Sequence, residues 1–399
     1  MWLQLINVLL VSLATFLLTF HFVLLLFSFA FRKKKFGPTG QQVEKSLACI
    51  ITAYKDLSPA LPLIQSILDN GYKNFRIYCV ADRCEQLNVA PKDERLSVLY
   101  PEKGLNSKVK SMLYAVEHFK GDHDAVIIFD PDNLVKPGYL ECMNRYLHRY
   151  GAVQGERIAK NLDSNISGLD ALGELYHNYL ERYVPFLLGS SSTIAGSGMA
   201  IETRAFRSFL ASEEVKEKID GVILGEDKML QSHLVGNGIR IAYNKEAKIY
   251  DEKLVDGTQV ANQRSRWVMA YIKNLKDAFG IFGKGLARFN WNQVFFGITT
   301  IYPPLFTVVL FSGLCTLYLG VVDWPLAIIV AFGMFLFASV FFLVLIVEKA
   351  PKSIWLSILS SPLFILGQVK GVLQFRKTKN DFLVTKKSKV VTLEKLKNE

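Results

Sequence analysis

Thirty consecutive residues, Trp2 to Phe31, carry no charge, and His21 is their one titratable side chain. As a helix this run reaches roughly 45 Å, more than the ~30 Å hydrocarbon core of a bilayer requires. A cleavable leader would start with basic residues and end its shorter apolar run at small ones. The run has neither feature, so it reads as a retained membrane anchor. Arg32-Lys33-Lys34-Lys35 follows at once and, by the positive-inside rule, places the following chain in the cytoplasm.

Two further spans are expected, from about Phe295 to Val321 and from about Pro325 to Val347. Val322-Asp323-Trp324 between them has no Lys or Arg, as suits a short outer hairpin, and Lys349 and Lys352 mark the return. Ile354–Leu373 is apolar but carries Ser357, Ser360, Ser361, Gln368 and Lys370, and a span there would put the basic tail outside. It reads as an interfacial helix, as does Ile281–Trp291. The net charge of +11 would suit nucleic acid or an anionic membrane surface. Because the basic residues cluster beside apolar segments, the membrane is favoured and no nucleic acid is expected. Five cysteines without a CxxC pair argue against a zinc site and a disulfide framework, and for a reducing compartment.

Between Ser46 and Glu252 short apolar runs alternate with helical patterns. Strands are expected at Ala48–Thr52, Phe75–Ala81, Leu96–Tyr100 and Ala125–Phe129, with helices after Ser58-Pro59, near Lys108–Phe119 and over Gly138–Tyr150. This alternation implies an α/β domain on a mostly parallel sheet. Ligands of such sheets bind beyond the carboxyl ends of the strands. Tyr54, Asp56, Asp82, Asp130 and Asp132 fall there.

Asp130-Pro131-Asp132 can hold a hard divalent cation against a diphosphate, although a solvated turn has the same composition. Asp227, at the start of a helical run, suits either a general base or an N-terminal cap. Gln263, Arg266 and Trp267 share one helix face, where they could bind phosphate and stack on a sugar or simply sit at a membrane interface. Lys108 and Lys110 could neutralise phosphate or be solvated. Gly196-Ser197-Gly198 allows close backbone approach but also reads as an ordinary loop.

Taken in order, Tyr54 and Asp56, Asp82, Lys108, Asp130-x-Asp132, Gly196-Ser197, Glu226-Asp227 and Gln263-x-x-Arg266-Trp267 resemble a known set. The chain over roughly Ser46 to Tyr271 is similar to membrane-integrated family-2 glycosyltransferases of the GT-A fold, the branch containing cellulose, hyaluronan and poly-N-acetylglucosamine synthases. Phe382-Leu383-Val384-Thr385-Lys386-Lys387 resembles the FxVTxK gating loop of cellulose synthases. The resemblance implies that Tyr54, Asp56, Asp82, Lys108, Asp130, Arg266, Thr385 and Lys387 bind the nucleotide-sugar. It implies Mg2+ or Mn2+ on Asp132 and Asp130, and Asp227 as catalytic base. Glu226, Gln263, Trp267, Gly196 and Ser197 would meet the acceptor.

The expected organisation is an anchor at 1–31, a cytoplasmic catalytic domain at 46–280, interfacial and transmembrane helices at 281–374, and a basic tail at 375–399. The expected reaction is inverting transfer from a UDP-sugar to a growing polysaccharide at the cytoplasmic face of an inner or plasma membrane, giving a β-linked product. Single transfer to a lipid, as in ceramide glucosyltransferase-like enzymes, is the alternative. A catalytically dead membrane scaffold fits less well, because it has no need of both acidic motifs. Membrane lipid is an expected partner, and a homo-oligomer or an export partner is left open.

Overall fold

The computed structural model describes residues 2–31, 36–38, 42–86, 91–221 and 223–361. Eight strands form one sheet: β1 Leu47–Tyr54, β2 Phe75–Asp82, β3 Leu96–Leu99, β4 Ala125–Phe129, β5 Leu134–Val135, β6 Ala152–Ala159, β7 Met199–Glu202 and β8 Ile241–Asp251. Their order is β3-β2-β1-β4-β7-β6-β8-β5. The pairs β3–β2, β2–β1, β1–β4 and β6–β8 are parallel. β7 runs antiparallel to both β4 and β6, and β5 antiparallel to β8. The sheet is thus mostly parallel, as expected.

Burial on both faces explains the continuous apolar strands. In β1, Leu47, Cys49 and Ile51 face one core, and Ala48 and Ile50 face the other. Alternate residues of a strand point to opposite faces, so covering both removes any need for polar alternation. The helices Ala60–Leu68 and Tyr139–Leu147 supply Leu63, Ile64, Leu140 and Met143 to the first core. Eight further helices bear on the site or the membrane: α1 Trp2–Phe31, α2 Lys108–Glu117, α3 Asn165–His177, α4 Glu226–Gly236, α5 Gly257–Ala287, α6 Trp291–Ile301, α7 Leu305–Val322 and α8 Trp324–Val347. Val109 and Met112 of α2, with Leu230 and Leu234 of α4, cover the second face.

Among the described residues, α1, α7 and α8 are the helices long and apolar enough to cross a membrane. They pack together through Val11, Ala14, Leu18, Val308, Cys315, Val330 and Phe337. Gly333 of α8 has Leu18 against it so closely that a Cβ there would lie 3.0 Å from a Leu18 methyl. Small residues let apolar helices approach in this way.

Two membrane boundaries differ from the sequence expectation. The apolar run from Phe295 is broken at Tyr302-Pro303-Pro304, where the helix ends and α7 begins at Leu305. Neither proline can donate a backbone hydrogen bond, and the residue before a proline is driven out of the helical region. The stretch Ile281–Trp291 is not a separate helix: α5 runs on through Ala287, and α6 starts at Trp291 after a turn at Phe289, whose φ is +51°. Lys352–Ser357 is helical and runs into a 3-10 turn at Ile358–Ser360, while residues 362–373 of the expected interfacial stretch, and the basic cluster Arg32–Lys35, lie outside the described residues.

Candidate active site

β1, β2 and β4 all point their carboxyl ends at one cavity of about 1470 Å3, lined by Tyr54, Asp56, Asp82, Lys108, Asp130 and Asp132. Asp82 is buried, and its two carboxylate oxygens accept the backbone amides of Leu105 at 2.8 Å and Asn106 at 2.7 Å. It therefore fixes the loop that leads into α2. Tyr54 Oη donates to Asn106 Oδ1 at 3.1 Å on the same loop. Asp56 accepts the Ser58 amide in a local turn. Lys55, Arg83 and Asn106 all have left-handed φ, at +64°, +56° and +51°. Such strain in non-glycine residues gathers at functional sites.

Lys108, at the first position of α2, is the electrostatic hub. Its Nζ lies 2.7 Å from Asp130 Oδ1, donates to the Gly196 carbonyl at 2.8 Å and sits 3.7 Å from Glu226 Oε1. Burial alone would lower its pKa, but Asp130, Glu226 and Asp227 outweigh burial and hold the ammonium firmly protonated. For Glu226 the balance runs the other way. Burial pushes its carboxyl up, Lys108 opposes this, and Asp227 adds to the rise. Asp130 and Asp132 form a two-carboxylate pair on the turn after β4. Among the described residues, no three His, Cys, Asp or Glu side chains gather as a metal site by themselves. Two carboxylates suit a hard cation whose remaining ligands come from phosphate and water.

Glu226 and Asp227 open α4, and Gly225 before them has φ +78°. A Cβ on Gly225 would meet the Ala270 Cβ of α5 at 2.8 Å. Left-handed backbone and close helix approach both require glycine here. Gly225→Ala is accordingly expected to cost about 1–3 kcal/mol of stability, read as a lowered denaturation midpoint. An unchanged midpoint would show that the α4–α5 contact yields without strain.

Gln263, Arg266 and Trp267 of α5 line the same cavity, as does Gly196. Ser197 does not: it is fully buried behind the wall, its carbonyl accepting from Gln154 Nε2 at 3.0 Å. Thr385 and Lys387 lie outside the described residues. Arg264 was not singled out by sequence, yet its guanidinium stacks 4.1 Å from the Trp267 ring centroid and pairs with Asp170 of α3 at 2.8 Å.

Beneath the strand-end acids lies a buried charge cluster that sequence reasoning also missed. Arg157 bridges Asp251 at 2.6 Å and Glu174 at 3.9 Å, Lys253 contacts both carboxylates, and Arg182 binds Glu174. Lys160 of the same region donates to the Asp132 carbonyl at 3.1 Å. The groups come from β6 and the residue after it, α3, a π-helical turn Asn178–Tyr183, and β8 and the segment after it. Their one sequence signal is an acid or base interrupting an apolar pattern, as Asp251 ends β8. Beyond this cluster the cavity continues between the membrane helices, where Leu18, Tyr302, Phe306, Val309, Phe337 and Phe341 line it.

A family model described as Glycosyltransferase like family 2 matches residues 45–270. No curated protein matches the chain. Among solved structures, mannosyltransferase PcManGT from Pyrobaculum calidifontis, in complex with GDP-Man and Mn2+, superposes with a TM-score of 0.57 at 13% identity, covering 91% of this chain and 99% of that one. S. aureus TarS, residues 1–349, gives a TM-score of 0.39 at 10% identity, covering 58% of this chain and 65% of that one, too loose a match to bear on the fold. The family match spans more than half of the sequence and includes every acid at the strand ends. The chain belongs to glycosyltransferase family 2: it is a glycosyltransferase of the GT-A fold, with three helices among the described residues long and apolar enough to cross a membrane.

Proposed function

We propose that this enzyme moves a sugar from a UDP-sugar to an acceptor that reaches the catalytic carboxylate from the membrane, by a single inverting displacement. The observation that carries the reading is the continuity of one cavity. It joins the strand-end acids, Glu226-Asp227 and Trp267 to the apolar walls of α7 and α8. Tyr54, Asp56, Asp82, Lys108 and Asp130 would surround the nucleotide and its diphosphate, with Arg266 on the phosphates. Asp132 and Asp130 would hold Mg2+ or Mn2+, which supplies charge neutralisation to the leaving nucleotide. The Mn2+ bound by the Pyrobaculum enzyme supports a divalent ion here. Asp227 would take the acceptor's proton as its oxygen attacks the anomeric carbon, so an α-linked donor would give a β-linked product. Glu226, Gln263, Trp267 and the Gly196 backbone would orient the acceptor.

The apolar continuation favours a lipid acceptor, because an alkyl chain gains from burial among Phe306, Phe337 and Phe341. A growing polysaccharide is the second reading; the aromatic faces of Trp267, Tyr302 and Phe341 would suit stacked sugar rings. Incubation with radiolabelled UDP- and GDP-sugars, in the presence of membrane lipid, separates the two. Label extracted into organic solvent supports the lipid product, and high-mass aqueous label supports the polymer. Transfer from a GDP-sugar alone would overturn the uridine assignment.

The catalytic domain and basic tail are proposed to share the cytoplasmic side, on the strength of the charge pattern. A cysteine introduced by Asp323→Cys, in the turn between α7 and α8, is expected to react with an impermeant maleimide on intact cells. A cysteine placed after Lys379 is expected to stay unlabelled. The reverse pattern would invert the topology.

A further inference from the structure

The cavity changes character at the π-helical turn Asn178–Tyr183, which follows α3 directly. On its donor side lie the acids and Arg266; on its membrane side lie apolar walls. His177, Glu181 and Arg182 line the cavity at this boundary. The boundary is fixed from both sides. Tyr176 stacks on Phe341 of α8 with ring centroids 4.3 Å apart, and the hydroxyl of Tyr179 meets that of Ser28 in α1 at 2.8 Å. The wider turn also lets the Glu181 carbonyl accept from Thr193, through both its amide and its hydroxyl at 3.3 Å. A π-turn departs from regular helical hydrogen bonding and is frequent at functional sites.

Acids along this passage pair with arginine or lysine, and Lys253 is shared between Asp251 and Glu174. Arg157 pairs with Asp251, Arg182 with Glu174, and Arg264 with Asp170. Glu181 is the exception. It pairs with an imidazole, His177 Nδ1 at 2.8 Å, and 23% of its side chain remains exposed where it lines the cavity. Burial would raise this carboxyl, but His177, with smaller contributions from His21 and Lys228, outweighs burial and keeps it at about 2, so it is ionised. A phosphate drawn to this point would meet the Glu181 carboxylate, with the guanidinium groups of Arg157, Arg182 and Arg264 already held by carboxylates, and like charges in a low-dielectric site repel strongly. A hydroxyl would instead donate to that carboxylate in a charge-assisted hydrogen bond.

Resting on the membrane-side acceptor reading above, we infer that Glu181 and His177 form a head-group subsite selecting a neutral, hydroxyl-bearing lipid over a lipid phosphate. The apolar tail lies among Tyr302, Phe337 and Phe341, and the hydroxylated head group bonds to Glu181. The reactive hydroxyl then faces Asp227. His177 holds the carboxylate in place and accepts or donates to a second hydroxyl.

Two photoactivatable probes with the same chain test this: dodecyl β-D-glucoside and dodecyl phosphate, each with a diazirine near the chain end. Full-length protein in nanodiscs is irradiated with each at equal concentration, and labelled peptides are mapped by mass spectrometry. The glucoside is expected to label α7 and α8 at least about tenfold more than the phosphate. Glu181→Gln is expected to reduce glucoside labelling by about tenfold, the cost of weakening a hydrogen bond to a charged group. Its thermal midpoint should stay close to that of the parent, and Glu181→Asp should recover part of the labelling. Phosphate labelling equal to or above that of the glucoside would overturn the head-group assignment, as would a Glu181→Gln variant that labels like the parent. If neither probe labelled α7 or α8, the membrane-side acceptor reading itself would fall.

Discussion

Asp227→Asn is expected to lower transfer by about a hundredfold to ten-thousandfold, the range spanned by general bases, while the donor KM changes by less than about twofold. Asp227 stands in the first turn of α4, where a carboxylate serves as a cap as readily as a base. Its Oδ1 accepts the amide of Lys228 at 2.9 Å, so some capping role is present. The asparagine substitution separates the two roles, because an amide oxygen still accepts that hydrogen bond but cannot take a proton. A cap alone is worth about 1 kcal/mol, visible in stability and not in the chemical step. Glu226→Gln is expected to cost less, since burial and the neighbouring Asp227 already push that carboxyl towards its protonated form. Initial rates of nucleotide release in both variants decide the matter. Wild-type turnover in Asp227→Asn would leave it a cap and move the base elsewhere in the cavity.

The strand-end acids of this cavity were legible in the sequence because their determinants are local. Ala125–Phe129 is an unbroken apolar run followed by Asp130-Pro131-Asp132, and a strand buried on both faces must place its next polar residues at its end. Tyr54 and Asp82 follow from the same logic on β1 and β2. Glu174, Arg157, Asp251 and Arg182 carry no such mark. They lie on separate elements, and each reads as an ordinary surface charge until the sheet and α3 bring them within ion-pair distance.

The membrane half was legible only in outline. Hydropathy gives the three spans, but averaging over the run from Phe295 hides the break that Pro303-Pro304 imposes. That break matters to the site, because it sets Tyr302 between the helices, where its hydroxyl donates to the Leu17 carbonyl at 2.7 Å. The π-turn at Asn178–Tyr183 has no propensity signature, so no sequence pattern announces Glu181 as facing a cavity. Long-range packing, not local preference, decides both features.

Removal of divalent cation is expected to lower transfer by at least about a hundredfold, and Asp132→Ala to reproduce the chelated state. The expectation follows from charge. The diphosphate of a nucleotide-sugar must be neutralised as it leaves, and Lys108 is already shared among Asp130, Glu226 and the Gly196 carbonyl. With no cation, Asp130 and Asp132 would repel the phosphates they flank. Asp132 is 3% exposed, and its Oδ2 accepts the Glu252 amide at 3.3 Å, so its carboxylate is held in a fixed direction by the chain after β8. Full transfer by the parent in excess EDTA would remove the metal from the mechanism. The variant gives an independent reading. Added Mn2+ or Mg2+ should restore the chelated parent and tighten its nucleotide binding, measured calorimetrically. The same addition should change neither quantity in Asp132→Ala. If the variant regained both, the cation would rest on other ligands, with Asp130 the first to test.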